Sequence, residues 1–129
     1  MIDLNLLKTG ADSLGIVLDD KALERFDAYA ELLVSWNEKI NLTAITDPEG
    51  IVKKHFLDSL ALLKYCDIKS DAKMIDVGTG AGFPGLAIKI ARPDINITLM
   101  DSTQKKLTVI DFPVFVGIDT DGNDIYEGN

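Results

Sequence analysis

The sequence predicts an α/β chain made of a helical N-terminal layer, a β-α-β unit and a short C-terminal β-hairpin. Three observations predict it. Apolar residues recur at intervals of three and four through the first seventy positions. The run Met74-Ile75-Asp76-Val77-Gly78-Thr79-Gly80-Ala81-Gly82-Phe83-Pro84-Gly85 reads as a buried strand, a glycine loop and a helix start. A second apolar run, Ile95 to Met100, follows and ends in an acid, Asp101.

The elements follow in order. Asp19 and Asp20 are placed to cap a helix whose apolar positions Leu23, Phe26, Ala30, Leu33, Val34 and Ile40 fall on one face, with Lys39 near its end to suit the helix dipole. A cleaner start stands at Asp47, with Pro48 at the first helical position and Glu49 in the first turn. Ile51, Phe56, Leu57, Leu60 and Leu63 carry that helix to about Tyr65. A polar linker, Ser70 to Lys73, leads into the first strand, and Pro84 to Ala91 is the helix that crosses to the second. Arg92-Pro93-Asp94 punctuates its end. After Asp101, Thr103-Gln104-Lys105-Lys106-Leu107 begins a helix expected on the opposite face of the sheet, and Asp111-Phe112-Pro113 breaks it. Val114 to Ile118 and Ile125 to Tyr126, around Asp121-Gly122-Asn123, read as a hairpin with a tight turn.

Composition narrows the function. With 47% apolar residues the 129-residue chain can bury a core, and no run approaches the ~18 uninterrupted apolar residues of a membrane span. No signal peptide opens it, so the expectation is a soluble, cytoplasmic protein without a membrane partner. A net charge of −8 opposes unaided binding to nucleic acid, whose phosphates dominate affinity. All 13 Lys and Arg precede residue 111, whereas Asp111, Asp119, Asp121, Asp124 and Glu127 fall in the last nineteen residues. That shift marks a boundary near Ile110. The single cysteine, Cys66, excludes an internal disulfide, and beside Leu62, Leu63 and Tyr65 it is expected in the core.

The glycine loop carries the chemistry. Gly78, Gly80 and Gly82 admit positive φ and remove Cβ atoms that would hold a ligand off the main chain. Asp101, at the end of the second strand, suits the ribose hydroxyls of a nucleoside. Two cofactors compete. Gly80, Gly82 and Gly85 satisfy the dinucleotide pattern G-x-G-x-x-G, but that loop wants its first glycine directly after the strand, and counting from Gly78 the last glycine is replaced by Phe83. The Asp76-x-Gly78-x-Gly80-x-Gly82 form instead sets a carboxylate near a ligand ammonium, which S-adenosylmethionine carries and a dinucleotide lacks. A structural glycine turn stays open as a third reading.

Other candidates divide the same way. Lys53, Lys54 and His55 form a patch that on its residues alone is a helix face meeting water; only a family resemblance would turn it toward cofactor or RNA. Lys105 and Lys106 are candidates for phosphate, although paired lysines in a first helical turn are commonly just solvated. Trp36 and Phe26 have the shape to stack on bases but the spacing of core residues. Asp119, Asp121, Asn123 and Asp124 suggest calcium, yet an EF-hand loop wants glycine at position six and Gly122 falls at position four, so no metal is expected.

Trp36-Asn37-Glu38-Lys39-Ile40-Asn41-Leu42-Thr43, His55-Phe56-Leu57-Asp58-Ser59-Leu60, the glycine loop with Phe83-Pro84-Gly85, and Leu99-Met100-Asp101-Ser102 together resemble the RsmG (GidB) family. Those are S-adenosylmethionine-dependent methyltransferases acting on N7 of a guanine in 16S ribosomal RNA. The resemblance spans about residues 1 to 110. It implies a helical cap (1–70) on an incomplete class I methyltransferase, Rossmann-like, β-α-β unit (71–110). It implies a cofactor site of Asp76, Gly78, Thr79, Gly80, Ala81, Gly82, Phe83, Asp101 and Ser102, with 16S RNA or the small ribosomal subunit as partner. Guanine N7 has a free lone pair, so no catalytic acid or base is expected. Residues 111 to 129 depart from the family and are similar to the opening hairpin of phage proteins of the YopX type, which suggests a truncated or fused chain with doubtful turnover. Two parallel strands with one crossover leave pairing edges open; the acidic hairpin could add strands in cis or the chain could be marginal and aggregate, but pairing with a second copy is the favoured expectation.

Overall fold

A computed structural model describes residues 1–101, 115–118 and 124–128. Three aspartates start helices as short side chains that accept from backbone N–H groups in the first turn. Asp3 caps α1 (Leu4–Ser13), Asp19 caps α2 (Asp20–Ile40) and Asp47 caps α3 (Pro48–Gly50). The Asp47 cap depends on Gly50, because a Cβ there would lie 2.6 Å from the capping carboxylate and 2.8 Å from Ile45. α3 runs directly into a π-helical segment, Ile51–Leu57, and then α4 (Asp58–Tyr65). The sequence predicts this whole stretch as one regular helix. The wider turn inside it is a departure that periodicity cannot register, since a single inserted residue shifts the face without removing helical spacing.

β1 (Lys73–Val77) pairs in parallel with β2 (Asn96–Asp101), in a register running from Lys73 opposite Asn96 to Val77 opposite Met100. α5 (Gly85–Ala91) makes the crossover. It starts one residue later than predicted, with Pro84 before the first turn and a cis Phe83–Pro84 peptide bond. Six of its seven residues are buried, because it lies between the sheet on one side and α2 and α4 on the other. Ile97 and Leu99 of β2 complete this core with Phe26, Tyr29, Leu33, Phe56 and Leu60. Lys89 is buried there too, and its Nζ donates to the Pro93 and Ile95 carbonyl oxygens at 2.8 and 2.7 Å, which closes the turn into β2.

The last two strands, β3 (Phe115–Ile118) and β4 (Asp124–Gly128), are antiparallel as the hairpin reading expects. β4 pairs antiparallel with β2, Leu99 facing Tyr126, so the sheet order is β1-β2-β4-β3. The free edge of β2 is therefore covered by this same chain, and β1 is an outer strand. One face of β1 is turned out: Ile75 is 65% and Val77 74% exposed. The helix expected after Asp101 and the tight turn at Asp121 lie outside the described residues.

One core assignment needs correction. Cys66 ends α4 and is exposed, because the apolar run it extends stops facing the core; Leu62 and Tyr65 beside it are exposed as well. Phe26 is fully buried and Trp36 packs against the core while partly buried, with the Lys39 ammonium 5.0 Å from its ring centre, as their helical spacing predicts.

Candidate functional site

The loop between β1 and α5 is built from backbone conformations that favour glycine. Gly78, Gly80 and Gly82 have φ of 72°, 59° and 104°. Its entry is tied to the next strand, since the Gly78 and Thr79 amides donate to the Met100 carbonyl at 2.7 and 3.2 Å. Its exit curls onto itself: the Gly82 and Phe83 amides donate to the Thr79 carbonyl, and the Leu86 amide to Gly82.

Asp76 braces both ends of the loop. Its Oδ2 accepts from the Thr79 hydroxyl and from the Gly85 amide, both at 2.8 Å. A carboxylate at this position is thus structural before it meets any ligand, a role the sequence does not announce. Gly85 has to be glycine for the same reason: a Cβ would collide with Leu99 and sit 2.8 Å from Asp76 Oδ2. At Gly78, by contrast, a Cβ would meet nothing within 4 Å. Gly78 is exposed at the carboxyl end of β1, and the backbone of Asp101 reaches the same end of the sheet.

The helical layer grips the loop from behind. Tyr29 of α2 is fully buried and its hydroxyl donates to the Ala81 carbonyl at 2.6 Å. Burial first, and the Asp76 charge second, raise the Tyr29 pKa well above the usual phenol range, so it stays a donor. Phe83 stacks against Tyr29 (5.2 Å between ring centres, 18°) and against His55 (4.4 Å, 7°). His55 Nε2 and the Thr43 hydroxyl share a 2.8 Å hydrogen bond, and burial lowers the His55 pKa against the opposing influence of Asp58.

These contacts divide the predicted basic patch. Lys53 pairs with Glu49 at 2.6 Å on the solvent side of the helix. Lys54 and His55 instead line an open groove of about 390 Å³ with Asp58, Ser59, Leu62, Phe83 and Pro84. The sequence assigned no role to Tyr29 or Thr43. Tyr29 shares its helix face with Phe26 and Leu33, and the only signal distinguishing it is a hydroxyl on an otherwise apolar stripe. Ser102, Lys105, Lys106 and the side chain of Asp101 lie outside the described residues. No group of three or more potential metal ligands occurs among the described residues, and no helix among them is long and apolar enough to cross a membrane.

A parallel strand pair joined through a glycine loop and a buried helix, with the loop at the strands' carboxyl ends, is the β-α-β arrangement of α/β proteins that hold ligands at that end. The comparisons make the class specific. The family model described as rRNA small subunit methyltransferase G matches residues 22–111. This chain belongs to that family, whose fold is the class I methyltransferase fold. It is similar to proteins named ribosomal RNA small subunit methyltransferase G from several bacteria. The one from Caldanaerobacter subterraneus subsp. tengcongensis is 49% identical over 109 residues, covering 84% of this chain and 46% of the relative. Those from Lachnoclostridium phytofermentans and Clostridium beijerinckii are 48% and 49% identical, covering 85% and 82% of this chain and 46% and 44% of theirs. The chain therefore spans less than half the length of these relatives.

Proposed function

We propose that this chain binds S-adenosylmethionine at the glycine loop and serves methyl transfer to guanine N7 of 16S ribosomal RNA. The observation that carries the reading is the cradle itself: three left-handed glycines, held by Asp76 from within, leave open space above Gly78 beside the end of β2. Asp76, Gly78, Thr79, Gly80, Ala81, Gly82 and Phe83 would hold the amino acid end of the cofactor, and Asp101 with Ser102 its ribose. The cofactor, when bound, supplies an electrophilic methyl group. Guanine N7 needs no base to accept it, so the protein's part is to align the acceptor and exclude water. Lys53, Lys54 and His55 are the proposed RNA contacts, a reading supported for Lys54 and His55 by the groove they line next to Phe83, and Lys105 and Lys106 are further candidates. The proposed division is a helical cap over 1–70, a cofactor unit over 71–110 and a hairpin over 111–129, in a cytoplasmic protein.

Titration with S-adenosylhomocysteine by calorimetry tests the site, with Gly80→Arg as control. Saturable one-to-one heat that the variant loses supports the reading. No heat from folded protein overturns it. Methyl incorporation into 16S RNA or 30S particles, against a full-length family member, tests turnover separately.

The exposed Ile75 and Val77 favour a second reading, in which the loop is vestigial and the chain is a non-catalytic module that self-associates through β1. Native mass measurement decides it. A monomer at micromolar concentration argues against it.

A further inference from the structure

We propose that Tyr29, on a helix outside the β-α-β unit, is a positioning residue of the cofactor site: its hydroxyl fixes the orientation of the Ala81–Gly82 peptide and so sets the shape of the glycine loop. The proposal rests on the cofactor reading above.

Ala81 lies between Gly80 and Gly82, both in the left-handed region. The Ala81–Gly82 plane turns about ψ of Ala81 and φ of Gly82, and a glycine on the second hinge lowers the steric resistance to its rotation. Its orientation is set by the hydrogen bonds at its two ends. The Gly82 amide, on one end of that plane, donates back to Thr79 within the loop at 3.0 Å. The Ala81 carbonyl, on the other end, accepts from Tyr29, fifty-two positions away in sequence, at 2.6 Å and out of contact with water.

Tyr29 is itself immobilised. Its ring is completely buried, stacked on Phe83 and tilted against Phe56 at 5.4 Å. The hydroxyl is thus delivered from a packed face of α2 to the carbonyl of the plane hinged on Gly82. Without that donor the carbonyl is left in an apolar setting, and rotating the plane to find another partner would break the Gly82 bond to Thr79. A rotated plane reshapes the cradle over which the cofactor would lie. The helical layer then does more than cover the sheet, because it selects the binding conformation of the loop.

The test uses the whole chain with Tyr29→Phe, which keeps the ring and its stacking, and Phe26→Leu, which disturbs the same helix face at Phe56 without touching the loop. Both are titrated with S-adenosylhomocysteine, and amide hydrogen exchange is followed at Gly82. The expected result is a roughly 5- to 20-fold weaker Kd and faster Gly82 exchange in Y29F, with F26L close to the unsubstituted chain in both, whatever its melting temperature. Equal affinity and equal Gly82 exchange in Y29F overturn the proposal while the cofactor reading stands. An equal loss in F26L overturns it too, since that is general destabilisation. If the unsubstituted chain takes up no ligand, the cofactor reading falls and this proposal falls with it. Should Y29F give no folded baseline even at 5 °C, the hydroxyl belongs to the fold and not to the site, and the proposal is overturned.

Discussion

At the scale of single residues, Asp76 and Gly85 carry the strongest demands. Asp76→Ala removes one acceptor shared by the Thr79 hydroxyl and the buried Gly85 amide, and is expected to lower stability by about 1–3 kcal/mol. Gly85→Ala forces a Cβ against Leu99 and Asp76, with an expected loss of about 1–3 kcal/mol. Urea denaturation of both variants measures these losses, and values within 0.5 kcal/mol of the unsubstituted protein would contradict the bracing role of Asp76. His55 supplies a pH dependence. Burial lowers its pKa, so the unfolded chain takes up the proton first as pH falls below ~6.5. Its contribution is complete above that pH and declines as pH falls toward the folded value. His55→Gln should flatten the stability profile between pH 6.5 and 5 in denaturation curves. A further decline at lower pH is expected from Asp94, whose carboxyl is held down to about 2, chiefly by its hydrogen bonds from Arg92.

At the scale of elements, β1 and α5 contrast. α5 has almost no exposed side, so its helical spacing conveys little about orientation, and its burial follows from being wedged between sheet and helices. β1 alternates strictly, with Met74 and Asp76 inward and Ile75 and Val77 outward. Val77→Thr should therefore change stability by less than about 0.5 kcal/mol in a monomer, as for other exposed sites. A loss above 1 kcal/mol that grows with protein concentration would show that a second copy covers that face. The π-helical segment has a different consequence. It spans Ile51 to Leu57 and contains both Phe56, which reaches the core, and His55, which reaches Phe83. Regular α-helical spacing accounts for the first of these contacts and gives no indication of the second.

At the scale of the molecule, β2 sits between a parallel and an antiparallel neighbour, whereas β1 is an outer strand. Amide exchange of Thr98 to Met100 should accordingly be slower than that of Met74 to Asp76, and the reverse order would mean that β4 does not pair with β2 in solution. The helical layer and the β-α-β unit share one core through Tyr29, Phe56, Leu86 and Ile88. Chemical denaturation should then unfold both in one transition, with tryptophan fluorescence reporting Trp36 and circular dichroism reporting the sheet at the same midpoint.

Local physics made much of this legible from residue order. Asp19, Asp47 and Pro48 locate their helix starts because a cap needs only the next three residues. Gly78, Gly80 and Gly82 announce the loop because positive φ is a property of the residue itself. Even the hairpin strands, Phe115–Ile118 and Asp124–Gly128, overlap the runs Val114 to Ile118 and Ile125 to Tyr126 that flank the turn residues Asp121-Gly122-Asn123. What only the tertiary structure decided are the contacts between distant segments: Tyr29 on Ala81, His55 on Phe83 and Thr43, β4 on β2, and the outward turn of Cys66. Each depends on which surfaces arrive opposite one another after packing, and no spacing within a single segment encodes that.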